Sequence, residues 1–261
     1  MATAARARIE ALLRERKLDT TLTSTHPPAP VADDRYVVPT GIAVLDEHLG
    51  GGLSRGQMSE LVGPRSSART SVLMSALAGA TARGELVALV DTADTFDPPS
   101  ARACGLDLAR LLWVRGGDLD RALKAFNLIL QAGGFGLVAI DLADIPPALI
   151  KRLPFTTWFR LERPIEGTST AVVIVASEPV ARSAGGVTIA LRRVGGMGVA
   201  RGVVKAGGVG RADGAGGVDG AGGAGAGRWS RLFPGLDVEA RIGRARGLAD
   251  TCRFHLSGPE P

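Results

Sequence analysis

The sequence predicts an α/β fold, a mainly parallel central sheet flanked by helices, with an antiparallel C-terminal extension. Three observations carry this. From Tyr36 onward, apolar runs of strand length are each followed by a stretch of helical spacing, the alternation that builds parallel sheets. TAVVIVAS at 170–177 is rich in Val and Ile without interruption, the content of a strand covered on both faces. Beyond it, VTIALRR (187–193), DVEARIGRAR (237–246) and TCRFHLS (251–257) alternate or mix apolar with polar residues, which suits an antiparallel extension of the sheet.

Taken in order, residues 1–18 form a short amino-terminal helix, because Ile9, Leu12 and Leu13 fall at i, i+3, i+4 while Arg6, Arg14, Glu15 and Lys17 take the other faces. A stripe this narrow is marginal alone and needs a surface to dock on, either its own core or a neighbouring subunit. Residues 19–36, with the prolines of TLTSTHPPAPVADD, are a linker. The core runs over 37–194. Within it, GQMSELVG brings a strand to Gly63, and SVLMSALAGATARG supplies a helix with Val72, Leu73, Leu77 and Ala80 at helical spacing, closed by Gly84. ELVALVD (85–91), a helix near 98–104, LLWV (111–114), a helix from Leu119 to Gln131 and GLVAID (136–141) follow. Residues 195–227 hold 15 of the chain's 36 glycines and show no apolar period, so they read as a flexible insertion. It is either neutral low-complexity sequence or a basic arm carrying Arg201, Lys205 and Arg211. Residues 228–261 return to complete the core.

With 261 residues, 45% of them hydrophobic and 22% charged, the chain has the balance of a globular protein with one real core. From residue 192 to the end there are 11 basic and 6 acidic side chains, so the net charge of +5 lies entirely in the last quarter. Two cysteines are too few for a disulfide scaffold, and three isolated histidines offer no metal-ligand pair, which argues against a metal enzyme. No stretch approaches the roughly 18 apolar residues of a membrane span, and the amino terminus has no apolar signal region. The expectation is a cytoplasmic protein with no membrane partner.

The sharpest motif is GPRSSART, made of Gly63, Pro64, Arg65, Ser66, Ser67, Ala68, Arg69 and Thr70, placed after a strand and before an apolar helix. That context suits a phosphate-binding loop, in which amides at a helix amino terminus point at anionic oxygens. The pattern is GxxxxGK[ST], and here Ala68 replaces the second glycine and Arg69 the lysine. A Cβ at a left-handed position costs roughly 1 to 2 kcal/mol. A planar guanidinium does not simply replace an ammonium that bridges two phosphates. Thr70 keeps the hydroxyl that would ligate Mg²⁺, and Asp141 at the end of GLVAID is in the place of the second carboxylate of the metal shell, though an aspartate there also serves as a helix cap. ATP with Mg²⁺ is thus a candidate cofactor of weak affinity.

The stretch VPTGIAVLDEHLGGGLSRGQMSELVGPRSSART resembles the entry segment of the RecA family of recombinases. VALVDTADTFDPPSARACGLDLARLLWVR resembles that family's next unit, with Asp91, Asp97, Pro98, Ala101, Arg102, Gly105 and Asp107 in register. The resemblance covers 37–193, resumes at 228–257, and implies a RecA-like P-loop fold. The departures matter as much. Ala93 stands where the family has the glutamate that polarises the attacking water, and the neighbouring Asp94 points elsewhere if the local backbone is kept. Only short segments follow Asp141 and Ser177, where the family has two loops that hold single-stranded DNA. Arg244 and Arg246 stand where the family has a lysine pair reaching the next subunit's nucleotide, and alternating arginines on a strand equally make a solvated edge. A segment before the core docks on the next subunit in RecA relatives, which makes Ile9, Leu12 and Leu13 candidates for a partner interface.

Three functions compete. A short RecA-like chain with eroded nucleotide motifs resembles the ImuA-type proteins that accompany bacterial mutagenic polymerases, which implies a noncatalytic accessory role in DNA repair and translesion synthesis. Its partners would be a RecA-type recombinase or the mutagenic polymerase complex, with weak non-specific DNA binding through the C-terminal arginines. The second is an ATP-dependent recombination protein, and the third a division-inhibitor-like or other non-enzymatic relative of the fold.

Overall fold

A computed structural model describes residues 35–181, 186–194, 236–244 and 250–256. The expected helix bearing Ile9, Leu12 and Leu13, most of the linker, the glycine-rich insertion and Arg246 lie outside the described residues.

Each apolar run of the core becomes a strand. β1 (Val37–Val38) and β2 (Leu53–Ser54) form a small antiparallel ribbon, with α1 (Ala43–Leu49) between them in sequence. β3 (Met58–Val62), β4 (Val87–Asp91), β5 (Leu111–Arg115), β6 (Leu137–Asp141), β7 (Ala171–Ala176), β8 (Val187–Arg193), β9 (Leu236–Arg244) and β10 (Asp250–Leu256) make one sheet in the order β10-β9-β8-β3-β7-β6-β4-β5. The five central pairings from β8 through β3, β7, β6 and β4 to β5 are parallel. Only β8 with β9 and β9 with β10 are antiparallel.

One expectation needs correcting. VTIALRR does not begin the antiparallel extension on both sides, because β8 runs parallel to β3, pairing Glu60 with Thr188, and turns antiparallel only toward β9. The alternation in β8 reflects its position: Val187, Ile189 and Leu191 face the core while the intervening residues are partly open.

Strands β3, β4 and β7 are buried at every position, as double-sided cover requires. On one face lie α1, α2 (Arg69–Ala82) and α3 (Pro98–Ala103), whose Leu45, Leu77 and Ala101 join the inner residues of β8, β9 and β10. On the other lies α4 (Leu119–Ala132), where Ala122, Leu123, Phe126, Ile129 and Leu130 recur at helical spacing and Asp118 caps the amino terminus by accepting from Arg121 N at 2.8 Å. Two short helices follow β6 on that face, α5 (Pro147–Ile150) and α6 (Thr156–Glu162), which bury Ile150, Trp158 and Leu161. The sequence reading assigned no element here, because Pro146, Pro147 and Pro154 divide the segment into pieces too short to show a period.

At the amino-terminal ends of the central strands, Arg55 ties several connections together. Its guanidinium pairs with Glu85, 2.9 Å from Oε1, and donates to the carbonyl oxygens of Ser169 at 2.7 Å and Gly136 at 3.4 Å. Gly136 is required there, since a Cβ would fall 1.6 Å from the Glu85 carboxylate. Burial opposes ionisation of Glu85, and the Arg55 and Arg83 guanidiniums outweigh it and hold its carboxyl below the ordinary value.

Candidate functional site

The loop joining β3 to α2 keeps the path that a phosphate loop needs. A Cβ on Gly63 would lie 2.4 Å from the Leu191 carbonyl oxygen and 2.6 Å from Ser67 Oγ, so the backbone passes where only glycine fits. Ser66 and Ala68 take left-handed conformations, with φ of 61° and 73°. Ala68 is the residue before α2, and its carbonyl accepts from Val72 N at 3.0 Å. The alanine therefore sits in the conformation for which the pattern specifies glycine, at roughly 1 to 2 kcal/mol. Pro64, Arg65, Ser66 and Thr70 are exposed, and Ser67 Oγ is buried without a hydrogen-bond partner among the described residues.

Arg69 departs furthest from the pattern. It is only 8% exposed, and its Nη1 donates to the carbonyl oxygen of Ala176, the last residue of β7, at 2.7 Å. Burial lowers its pKa from the ordinary guanidinium value, and the nearby Asp141 and Asp144 carboxylates act against that. Arg65 turns to the same region, its Nη2 donating to Asp144 Oδ1 at 2.5 Å, and this pairing raises its pKa. Both arginines of the loop are thus engaged by the chain itself.

The carboxylates around them are equally occupied. Asp91 and Asp141 end adjacent parallel strands in register. Burial raises the Asp141 carboxyl above its usual range; Asp91 and Asp144 add to that, while the Ala143 amide, donating to Oδ1 at 2.9 Å, and Arg69 oppose it. Asp91 accepts from Thr95 N at 3.2 Å and Phe96 N at 2.9 Å, which folds the following turn. Ala93 lies exposed in that turn. Asp94 has φ of 56° and holds Arg115 through both carboxylate oxygens, with Nε to Oδ1 at 2.6 Å. It is therefore not available to stand in for a carboxylate at position 93.

Glu60, in the middle of β3, secures the connection that follows β7. It is 2% exposed, and its Oε1 accepts from Val180 N and Ala181 N, both at 2.6 Å, while Oε2 accepts from Thr188 Oγ1 at 2.8 Å. The sequence carried a signal for this role, a lone carboxylate in the apolar strand GQMSELVG. It gave none for the partners of Arg65 and Arg69, which come from strands and loops distant in the chain.

A second polar surface lies on the open face of β8, β9 and β10. Register places Arg192, Glu239 and Arg253 in one row and Ala190, Arg241 and Thr251 in the next. Glu239 bridges the two arginines of its row, at 2.5 Å from Arg192 Nη2 and 2.9 Å from Arg253 Nε, and they hold its carboxyl below the ordinary value. Arg241 has no carboxylate partner among the described residues. Arg244 ends β9, and its side chain is outside the described residues.

The residues present do not fit a hydrolysing magnesium–nucleotide site. Ala68 adds a Cβ at the left-handed position ahead of α2, and Arg69 is turned to a backbone carbonyl. Among the described residues no group of three His, Cys, Asp or Glu side chains could hold a metal ion, and no helix is long and apolar enough to cross a membrane.

Residues 31–151 match the family model of the RecA N-terminal domain. Over 106 residues the chain is 40% identical to Protein RecA of Salinispora tropica, covering 40% of this chain and 30% of that protein. It is 38% identical over 114 residues to Protein RecA of Clavibacter michiganensis subsp. michiganensis, covering 43% and 30%. For Protein RecA of Mycobacterium bovis the identity is 38% over 106 residues, 40% of this chain and 13% of that protein. The chain thus matches less than a third of the length of these relatives. Over residues 31–151 it is similar to the amino-terminal domain of RecA, and its mainly parallel sheet with an antiparallel C-terminal extension is a RecA-like α/β fold.

Proposed function

We propose that this chain is a noncatalytic RecA-like accessory protein of bacterial DNA repair, of the ImuA type, acting in damage-induced translesion synthesis through contacts with a RecA-type recombinase or a mutagenic polymerase complex. The observation that carries the reading is Arg69, drawn into the fold and bonded to Ala176 O where the phosphate-loop pattern calls for a lysine beside the phosphates. Ala93 supports it, since the turn carries no carboxylate free to polarise water. Residual nucleotide affinity rests on the loop amides and Thr70 and is weak. DNA contact is sequence-independent and salt-sensitive, carried by the face bearing Arg192, Arg241 and Arg253, because such contacts act by releasing counterions from phosphates.

Phosphate release at saturating ATP and Mg²⁺, with single-stranded DNA present, tests the reading. Loss of a general base costs about 10² to 10⁴ in rate, so the expected result is turnover at least that far below an active recombinase. Turnover at a recombinase level that Asp141→Asn abolishes would overturn it.

A further inference from the structure

Part of the apolar surface left uncovered among the described residues lies on one short segment. Among the described residues eight large apolar side chains are exposed, and Leu149, Phe155 and Phe159 are three of them. Phe155 and Phe159 are 49% and 48% exposed, one helical turn apart, with ring centroids 4.7 Å apart and planes at 89°. Trp158 and Leu161 take the buried side of α6, so the phenyl pair faces outward by the geometry of the helix. Arg163 lies a further turn along the same stripe with Arg160 beside it, and Arg152 is in the link between α5 and α6. All three are exposed, and none has a carboxylate partner among the described residues. Most other described arginines are paired: Arg55, Arg65, Arg83, Arg110, Arg115, Arg121, Arg192 and Arg253 all hold carboxylates.

We propose that this α5–α6 corner is a docking site for an acidic amphipathic helix of another protein. Residues 149–166 carry four basic and two acidic side chains, so the rim of the apolar patch attracts carboxylates. Aromatic residues ringed by arginine are the usual anchors of protein interfaces. The chain's own amino-terminal segment is the wrong occupant: residues 1–18 hold five basic and two acidic side chains, which mismatches a basic rim. A single-stranded nucleic acid is also disfavoured. Stacking platforms offer each base an open ring face, whereas here the edge of one ring lies against the face of the other. The proposal stands on this surface alone, so hydrolysis of ATP would overturn the functional reading above and leave it intact.

The experiment selects random displayed 16-residue peptides on the whole chain, counter-selecting on the Phe155→Ser, Phe159→Ser double variant. Both rings are half-exposed, so the variant should melt within about 2 °C of the parent. Expected are peptides pairing apolar residues at i, i+3 or i+4 with Asp and Glu, whose affinity falls about tenfold or more in the double variant and in Arg152→Glu, Arg160→Glu, Arg163→Glu. Equal enrichment on the two baits, or enriched peptides that are basic or uncharged, overturns the proposal. So does a labelled oligothymidylate whose binding is lost on the same phenylalanine changes, since that outcome makes the corner a nucleic-acid platform.

Discussion

The phosphate loop and the α5–α6 corner carry similar residues and treat them in opposite ways. At the loop, Arg65 and Arg69 are bonded to Asp144 and to the end of β7. At the corner, Arg152, Arg160 and Arg163 share a short segment with two exposed rings and bond to no carboxylate among the described residues. The arginines of the loop are bonded within the chain, and those of the α5–α6 corner are left open. A charged residue tied into the interior contributes to stability, whereas one held at the rim of an apolar patch contributes to association. Substitutions should separate the two.

The largest effect is expected at Glu60. Glu60→Ala removes the acceptor of the buried Ala181 amide, the half-buried Val180 amide and one hydroxyl, and leaving the two amides unmet costs about 1 to 3 kcal/mol each. Chemical denaturation should therefore show a loss of roughly 2 to 6 kcal/mol, and Glu60→Gln, which keeps one carbonyl acceptor, should lose less. A variant as stable as the parent would mean that the link after β7 is not secured there.

Arginine against arginine gives the sharper comparison. Arg69→Ala leaves the Ala176 carbonyl only the longer bond from Gly63 N, at 3.3 Å, and should cost about 1 kcal/mol. Arg152→Ala, at the corner, should stay within about 0.5 kcal/mol of the parent. Equal losses at the two sites would erase the distinction drawn here.

The smallest effect is at Asp141 and is the most diagnostic in sign. Its carboxyl is raised in the folded chain, chiefly by burial. Between the ordinary and the raised value, the folded chain holds a proton that the unfolded chain has released, so stability falls as pH rises through that window. Asp141→Asn keeps the acceptor for Ala143 and removes the penalty. It should raise the melting temperature at pH 7 by about 1 to 3 °C, with the gain vanishing below roughly pH 4, where both states are protonated. A lowered melting temperature at neutral pH would mean that the charge is needed as the counterion of Arg69.

Much of this was legible in the sequence, and the limits have physical causes. GQMSELVG, ELVALVD and TAVVIVAS could be read as strands because burial on both faces leaves unbroken apolar runs, and the loop's spacing singled out Ala68 as the position where a left-handed backbone would be strained. The direction of β8 could not, since alternation reports a wet face and not the sense of the neighbouring strand. The partners of Arg69 and Glu60 lie 107 to 128 residues away in the chain, where no local pattern reaches. The Phe155 and Phe159 pair escaped notice because prolines cut its helix to seven residues, too few for a period to emerge.

Ala68 has one more consequence. A residue held in a conformation it disfavours stays there because its surroundings leave no alternative. Here they are Gly63, packed against the Leu191 carbonyl and Ser67, and the buried Arg69 bonded to the end of β7. The contour of the loop is thus set in part by its walls. Returning residue 68 to glycine would relax the backbone while Arg69 stayed turned inward, so form and affinity can be restored, or lost, by separate changes.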